Sequence, residues 1–580
     1  MDLLEIFYMA DESTIRVFQA ILRYLAPILV ALLLVRCVVP LLTFRRQPEI
    51  WAWLCLEDDR KLPITHWENV IGQHKSSDVV IDVSSVAKSH AVLTRYDDGS
   101  WTIADTGTES GIRVNGHRME IAELKEKDVI DIGGVQMQFL PMNKRQEGRL
   151  AQLRTQAARP FDSLANLLLL SLLQLLCAVS YLMTSGGQYT GEIATGFLGI
   201  LIAQWLLLIF YLCIKKPSFE VETLAFLMCT MGMAAITAVK PGETLKQLIA
   251  MYLGLVLFLG IGWALRDLER AKKMRYLAGL AGIGLLVITL LFGKTYHGAR
   301  NWLLIGGMSI QPSELSKVCF VFIGASTMDR ILNKRNLILF IGYTILICLC
   351  LAIMNDFGTA LIFFVAFLLI AYLRSGSVGT IALACTSLGF AGVLVLKIAP
   401  HAFQRFASWR HIWDDPYGTG FQQTRSLMCL ASGGLLGLGA GNGKMGGDPT
   451  VGLRPIFAAD SDMVFATISE EWGLLIAIMM VICVLAMGLF SLRMAGIGRS
   501  SFYTIGSCTA AGILLVQTAL NVLGTLDVLP LTGVTFPFVS NGGSSMIGAW
   551  GLLAFIKAAD TRQNASFAVR QTKEVRDEYE

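Results

Sequence analysis

Residues 461–493 read SDMVFATISEEWGLLIAIMMVICVLAMGLFSLR. Glu470 and Glu471 interrupt the apolar run once, and no charge follows between Trp472 and Leu492. A helix crosses the hydrocarbon core of a bilayer with about 20 apolar residues. The run 464–492 therefore reads as one span, with a carboxylate, Asp462, at its mouth. Eleven further runs of this kind follow residue 160: 164–183, 193–214, 224–239, 248–265, 276–292, 315–328, 337–354, 357–373, 381–396, 502–526 and 544–556. The runs 315–328 and 544–556 are short, and their ends are expected in the preceding loops. Another run, 24–44, is interrupted by Pro27 and Arg36. It reads either as a span or as a membrane-surface helix.

The composition agrees. Charged residues make up 16% and hydrophobic residues 54% of the 580-residue chain, and the mean hydropathy is +0.57. Soluble proteins carry about 25% charged residues, so a disordered chain, a coiled coil and a purely soluble enzyme are excluded. A net charge of +4 gives no reason to expect nucleic acid as a partner. The 12 Cys lie mostly in apolar runs without close pairs, which points to neither a disulfide framework nor a zinc site. No small-residue cleavage site follows the first apolar run, so no removable signal peptide is expected.

Lys and Arg in short loops set direction. The loops 215–223, 266–275, 329–336, 374–380 and 493–501 hold 13 of them, against 4 in the alternate loops 184–192, 240–247, 293–313, 355–356 and 527–543. The first set is expected inside. The loop 397–463 then faces outward, and residues 45–163 and the tail from Lys557 face inward.

Residues 50–141 follow another rule. Short alternating runs such as Asp78-Val79-Val80-Ile81, Ala91-Val92-Leu93-Thr94 and Trp101-Thr102-Ile103 are separated by Gly, Asp and Ser. That pattern predicts a small all-β domain. The strings ENVIGQHKSSDVVI, VAKSHAVLTRYDDGSWTIADTGTESGIRVNGHRM and LKEKDVIDIGGVQMQF resemble a forkhead-associated (FHA) domain, through Gly72, His90, Asp105, Asn115 and Gly116. The resemblance implies a β-sandwich of the kind that binds phosphothreonine peptides. The phosphate-binding positions depart from the family. Gln73 stands for its Arg, Ala87 for its Ser, Lys88 for the following Arg and Ser110 for its Asn. Phosphate recognition favours Arg forks and hydroxyl donors, and only Lys88 and Ser110 remain as substitutes. A scaffold or protein-docking role is favoured, with His90 and Asn115 bracing the loops.

The membrane half carries the strings GKTYHGARNWLLIGGMSIQPSELSKV, NDFGTA, DPYGTGFQQTRSLMCLASGGLLGLGAG, SDMVFATISEEWGLL and NVLGTLDVLPLTGVTFPFVSNGGSS. Together they resemble the FtsW/RodA/SpoVE (SEDS) family from about residue 220 to 558. The architecture expected is a polytopic α-helical membrane protein with a ten-span SEDS-like core, about three extra N-terminal spans and a small cytoplasmic FHA-like sandwich. The divisions are an N-terminal membrane segment 1–49, the FHA-like domain 50–141, a basic linker 142–163, two extra helices 164–219, the core 220–558 and a cytoplasmic tail 559–580. The resemblance implies a peptidoglycan glycosyltransferase that polymerises lipid II at the outer face of the bacterial cytoplasmic membrane, beside a class B penicillin-binding protein. The alternative is a non-enzymatic scaffold or a flippase for lipid-linked precursors.

The family's essential Asp falls on Asp462. Joining two lipid-linked sugars requires the acceptor hydroxyl to lose a proton, and a carboxylate near the interface can take it. The other reading of Asp462 is a helix N-cap. Asp460 is read as a proton-sharing neighbour, a group that raises the pKa of Asp462, or a solvated loop carboxylate. The leaving group is a pyrophosphate, so cations or a divalent ion must neutralise it. The sequence offers no metal-ligand cluster and no certain cofactor.

Arg300 is the first candidate for holding pyrophosphate, with a snorkelling surface Arg as the alternative; the family's second Arg in that loop is Asn301 here. Glu314 and Lys317 form an i,i+3 pair or line a polar cavity. Asp356 is a helix cap or a substrate contact. Gln422 matches a family Gln, whereas Arg425 replaces a later one; Arg425 and Arg405 are phosphate candidates or rim charges. Glu470 and Glu471 point to different helix faces, so at least one is open to line the cavity. Pro530, Pro537, Ser540, Gly542, Gly543 and Ser544 predict a re-entrant loop that shapes the sugar site.

Overall fold

The computed structural model describes residues 11–43, 50–74, 77–96, 99–143, 160–296, 299–305, 308–327, 334–375, 400–447, 454–496, 500–560 and 562, with short helical pieces between 378 and 393. Residues 144–159 of the basic linker and half of the run 381–396 lie outside the described residues.

Eleven short strands build the N-terminal sandwich. They are β1 Ala52–Leu56, β2 Lys61–Ile64, β3 Glu68–Gly72, β4 Val79–Val80, β5 Ala91–Arg95, β6 Trp101–Asp105, β7 Ile112–Val114, β8 His117–Met119, β9 Ile121–Leu124, β10 Val129–Ile132 and β11 Val135–Pro141. One sheet has the order β2-β1-β11-β10-β7-β8 and the other β4-β3-β5-β6-β9. Alternate residues such as Leu54, Ile71, Leu93, Ile103, Ile130 and Phe139 bury between the sheets, as the period of two requires. Asn115 and Gly116, with φ of 50° and 84°, close the β7–β8 hairpin. Two successive positive φ values define the turn type that suits a two-residue hairpin.

The helices are α1 Glu12–Thr43, α2 Pro160–Thr184, α3 Thr190–Cys213, α4 Glu220–Val239, α5 Thr244–Leu265, α6 Leu268–Phe292, α7 Pro312–Thr327, α8 Lys334–Ile353, α9 Phe357–Ser375, α10 Pro400–Ser408, α11 Phe421–Gly433, α12 Val464–Trp472, α13 Leu474–Ala495, α14 Ser501–Thr525 and α15 Gly543–Ala558. Ten helical segments among the described residues are long and apolar enough to cross a membrane; α7 and α15, at 16 residues each, fall short as expected. Between α6 and α7, β12 Lys294–Tyr296, β13 Ala299–Ile305 and β14 Met308–Ile310 form a small antiparallel sheet.

The run read as 24–44 is longer and begins at Glu12. Its stripe Leu22, Ala26, Leu29, Leu33, Cys37 and Leu41 is buried against α2, α4 and α13. Helical spacing of apolar residues makes one buried face, so α1 is part of the helix bundle. Polar side chains join the extra helices to the core. Gln174 of α2 and Gln204 of α3 exchange two 3.0 Å amide bonds, and Gln174 also donates to Thr230 of α4 at 3.0 Å. Where water is absent, such bonds help select helix neighbours.

The run 464–492 is two helices, not one span. Gly473 has a φ of +89°, and a Cβ there would meet the Leu435 carbonyl oxygen at 2.3 Å. The close approach of 434–437 requires glycine, and that glycine breaks the helix.

α4 is buried over 94% of its apolar window. With α15 it runs between two charged ends. At one, Lys240 pairs with Asp460 at 3.0 Å; at the other, buried Lys557 pairs with buried Glu222 at 3.1 Å. Trp550 fills the space between, edge-on to Phe258 and Phe538.

Candidate active site

A turn over 457–463 leads into α12. The N-cap of that helix is Met463, whose side chain makes no capping bond, so Asp462 lies one residue outside the cap position. Asn521 of α14 donates through Nδ2 to the Asp462 carbonyl at 2.9 Å and to the Val534 carbonyl at 2.8 Å. One amide thus ties the Asp462 turn to the loop between α14 and α15. The half-buried Asp462 carboxylate faces that loop, where a Cβ on Gly533 would meet Oδ2 at 3.4 Å. Gly533 has a φ of +70°, which favours glycine.

Asp460 is not a solvated carboxylate. It is buried, Lys240 donates to both its oxygens at 3.0 Å, and Asn541 donates to Oδ2 at 2.7 Å. The Asn541 N–H donates to the Asp460 carbonyl at 2.7 Å. Burial of a carboxylate requires this partnering.

The final loop is buried in protein from Phe536 to Ser540. The Ser540 hydroxyl donates to the Ser461 carbonyl at 2.7 Å and accepts from the Phe536 N–H at 2.8 Å. Gln247 donates to the Ser540 carbonyl at 3.1 Å and accepts from the Gly542 N–H at 3.4 Å. Gly543 begins α15, and the Ser544 hydroxyl accepts from the Gln311 N–H at 3.0 Å.

A cavity of about 550 Å³ opens beside this loop, lined by Leu531 and, from 405–457, by Arg405, Tyr417, Gln422, Arg425 and Arg454 among others. Arg425 is 2% exposed. Its Nε and Nη2 have no hydrogen-bond partner among the described residues, and its guanidinium stands 5.2 Å from the Phe421 ring and 5.7 Å from the Tyr417 ring. The Arg405 Nη1 donates to the Thr532 carbonyl at 3.2 Å.

Other candidates sit elsewhere. Arg300 donates to the Gly293 carbonyl at 2.9 Å and the Leu291 carbonyl at 3.0 Å, so it caps α6. Asp356 accepts from the Thr359 N–H at 3.2 Å, capping α9, and from Asn301 at 3.0 Å. Glu314 and Lys317 are buried and paired at 2.7 Å within α7. Glu470 and Glu471 brace the glycine-rich loop through the Met445 N–H at 2.7 Å and the Gly443 N–H at 3.3 Å, respectively. Among the described residues no three His, Cys, Asp or Glu side chains cluster as a metal site would need.

In the sandwich, His90 is fully buried. Its Nδ1 accepts from the Ala87 N–H at 3.1 Å, and Nε2 lies 3.1 Å from the Gly111 carbonyl and 3.5 Å from the Ser110 hydroxyl. Asn115 donates to Asp128 at 3.0 Å and accepts from the Val129 N–H at 3.0 Å. Both brace loops. Lys88 is exposed. A Cβ on Gly72 would meet the Lys88 carbonyl oxygen at 2.2 Å, so that loop needs Gly72. Gln73 is bound through its N–H to the Ala87 carbonyl at 3.0 Å.

Sequence reading missed Lys240, Gln247, Asn521 and Arg454 as parts of the site. Gln247 and Asn521 are polar residues in or beside apolar runs, a signal in itself. Nothing local marks Lys240 as the partner of Asp460.

These features define an integral membrane protein with an inserted β-sandwich and a carboxylate site at one end of its helix bundle. The chain belongs to the FtsW/RodA/SpoVE family of cell cycle proteins, whose model matches residues 220–565. The FHA domain model matches residues 69–133. A probable peptidoglycan glycosyltransferase FtsW of Moranella endobia is 31% identical over 316 residues, 51% of this chain and 79% of its own. The peptidoglycan glycosyltransferase RodA of Mycobacterium tuberculosis is 29% identical over 335 residues, 54% of this chain and 69% of its own. The solved structure of the Thermus thermophilus rod shape determining protein RodA shares 22% identity, with a TM-score of 0.41, over 58% of this chain and 95% of that one.

Proposed function

We infer that this chain is a peptidoglycan glycosyltransferase that polymerises lipid II. The observation that carries the mechanism is the Asp462 carboxylate set against Gly533, on a turn locked to the final loop by Asn521 and Ser540. Asp462 takes the proton of the acceptor hydroxyl as that oxygen bonds to the donor's anomeric carbon. The bond from that carbon to the diphosphate breaks, and its electron pair leaves with the lipid diphosphate. A single displacement inverts the anomeric centre, and no covalent enzyme intermediate is needed. The Lys240–Asp460–Asn541 clamp holds the loop against the turn, so the carboxylate is presented at a fixed place.

The site faces outward, and the sandwich and the tail face the cytoplasm; the 13-to-4 division of Lys and Arg between alternate loops supports this. A class B penicillin-binding protein crosslinks the product alongside. The FHA-like sandwich docks a cytoplasmic protein partner, since its family phosphate positions carry Gln73, Lys88 and Ser110. The deciding experiment is polymerisation of purified lipid II by the full-length protein, with and without the cognate transpeptidase. Glycan strands that require Asp462 support the reading. Absence of strands under both conditions would favour the scaffold or flippase role.

A further inference from the structure

Arg300 and the Arg405–Arg425–Arg454 group both offer guanidinium groups for an anion in the outward half, and the structure separates them. At the first, Arg300 is spent on the carbonyls that end α6, and its neighbour Asn301 is held by Asp356. At the second, Arg405, Arg425 and Arg454 line one cavity of about 550 Å³, with no carboxylate among its lining residues. A buried guanidinium without hydrogen-bond partners is costly unless something else meets it. Arg425 is 2% exposed; its Nη1 donates to the Met428 sulfur at 3.6 Å, while Nε and Nη2 have no hydrogen-bond partner among the described residues. The Phe421 and Tyr417 rings, 5.2 and 5.7 Å away, hold its position and leave Nε and Nη2 unused.

We propose that the Arg405–Arg425–Arg454 cavity is a diphosphate site, taking the lipid-linked diphosphate of the donor strand. The proposal rests on the polymerase reading above and deepens it. Three chemical facts agree. Guanidinium forks match phosphate oxygens two at a time, which Lys does not. The volume falls within the range of small-molecule sites and holds a diphosphate with part of its sugar. The cavity and the base meet at one segment: Leu531 lines the cavity, Arg405 binds the Thr532 carbonyl, and a Cβ on Gly533 would meet the Asp462 carboxylate at 3.4 Å. Negative charge that develops on the leaving diphosphate is met by fixed positive charge one or two residues from where the proton is taken. Gln422 on the same wall offers a neutral amide to the attached sugar.

The test measures binding, so it stays readable whatever Asp462→Asn does to polymerisation. Full-length protein in phosphatidylcholine nanodiscs is titrated calorimetrically with inorganic pyrophosphate, then with inorganic phosphate. Saturable pyrophosphate binding, at least ten-fold tighter than phosphate and displaced by lipid II, is expected. Arg425→Lys keeps the charge and removes the fork, and Arg454→Gln alters an exposed side chain. Each is expected to weaken pyrophosphate binding ten-fold or more. Binding unchanged in both variants overturns the site. So does equal displacement by phosphatidylglycerol nanodiscs, which would make the cavity a phospholipid headgroup site.

Discussion

Tyr181 donates a 2.6 Å hydrogen bond to Oε2 of Glu471, and Trp472 donates to the same Tyr181 oxygen at 3.1 Å. The first belongs to α2, outside the family match; the other two end α12, the helix that starts beside Asp462. Gln19 of α1 adds a second tie, donating to the Ala440 carbonyl at 3.0 Å and accepting from Asn442 at 2.8 Å. The two helices that flank the inserted sandwich therefore press on the glycine-rich loop and on α12.

Tyr181→Phe removes a donor from a buried carboxylate. Losing such a partner costs about 1–3 kcal/mol. A lower unfolding midpoint in detergent and slower polymerisation by the full-length protein are expected. An unchanged midpoint would mean that the extra helices do not brace α12.

Asp462→Asn keeps the size of the side chain and removes the carboxylate proposed as the base. The polymerisation rate is expected to fall by about 10²–10⁴-fold, with yield and melting behaviour retained, because Asp462 is not the residue at the helix cap. Near-normal strand formation from lipid II would take the base role away from Asp462.

Lys240→Met leaves Asp460 with Asn541 as its remaining side-chain donor among the contacts described above. Lys240 is half exposed, so the loss is set at about 1.5–3 kcal/mol, the scale of a charge-assisted hydrogen bond. The double variant Lys240→Met/Asp460→Asn is expected to regain part of that stability in thermal unfolding. Equal instability of the single and double variants would show that the pair is not what holds the loop.

Phosphorylated and unphosphorylated threonine peptides are expected to bind the sandwich comparably weakly, because Gln73 replaces a charged phosphate partner worth about 1.5–3 kcal/mol. Calorimetry on the full-length protein reads this. Low-micromolar phosphothreonine binding that Lys88→Ala abolishes would reverse the assignment.

A Cys placed at Gly447 is expected to react with an impermeant maleimide in intact cells, and one placed in the sandwich is not. Labelling of the sandwich from outside would invert the topology.

The sequence by itself determined what depends on short range and on solvent. Runs of apolar residues declare spans because lipid tolerates little else. Period-two alternation declares the sandwich, and the Asn115–Gly116 turn is local chemistry. The Glu314–Lys317 pair was legible because i,i+3 neighbours share a helix face. Asp462 was named as a candidate through its motif alone.

The tertiary structure alone decided what depends on who approaches whom. Gly473 breaks the run 464–492 because the loop 434–437 comes within 2.3 Å of where a Cβ would sit; nothing in the run itself forbids a continuous helix. Asp460 looks solvated in sequence and is buried, because Lys240 and Asn541 reach it from positions 220 and 81 residues away. Arg300 and Arg425 are equal as letters. One is used up by carbonyls at the end of α6, and the other is buried with donors to spare, a distinction made only by which groups the folded chain brings within hydrogen-bond reach.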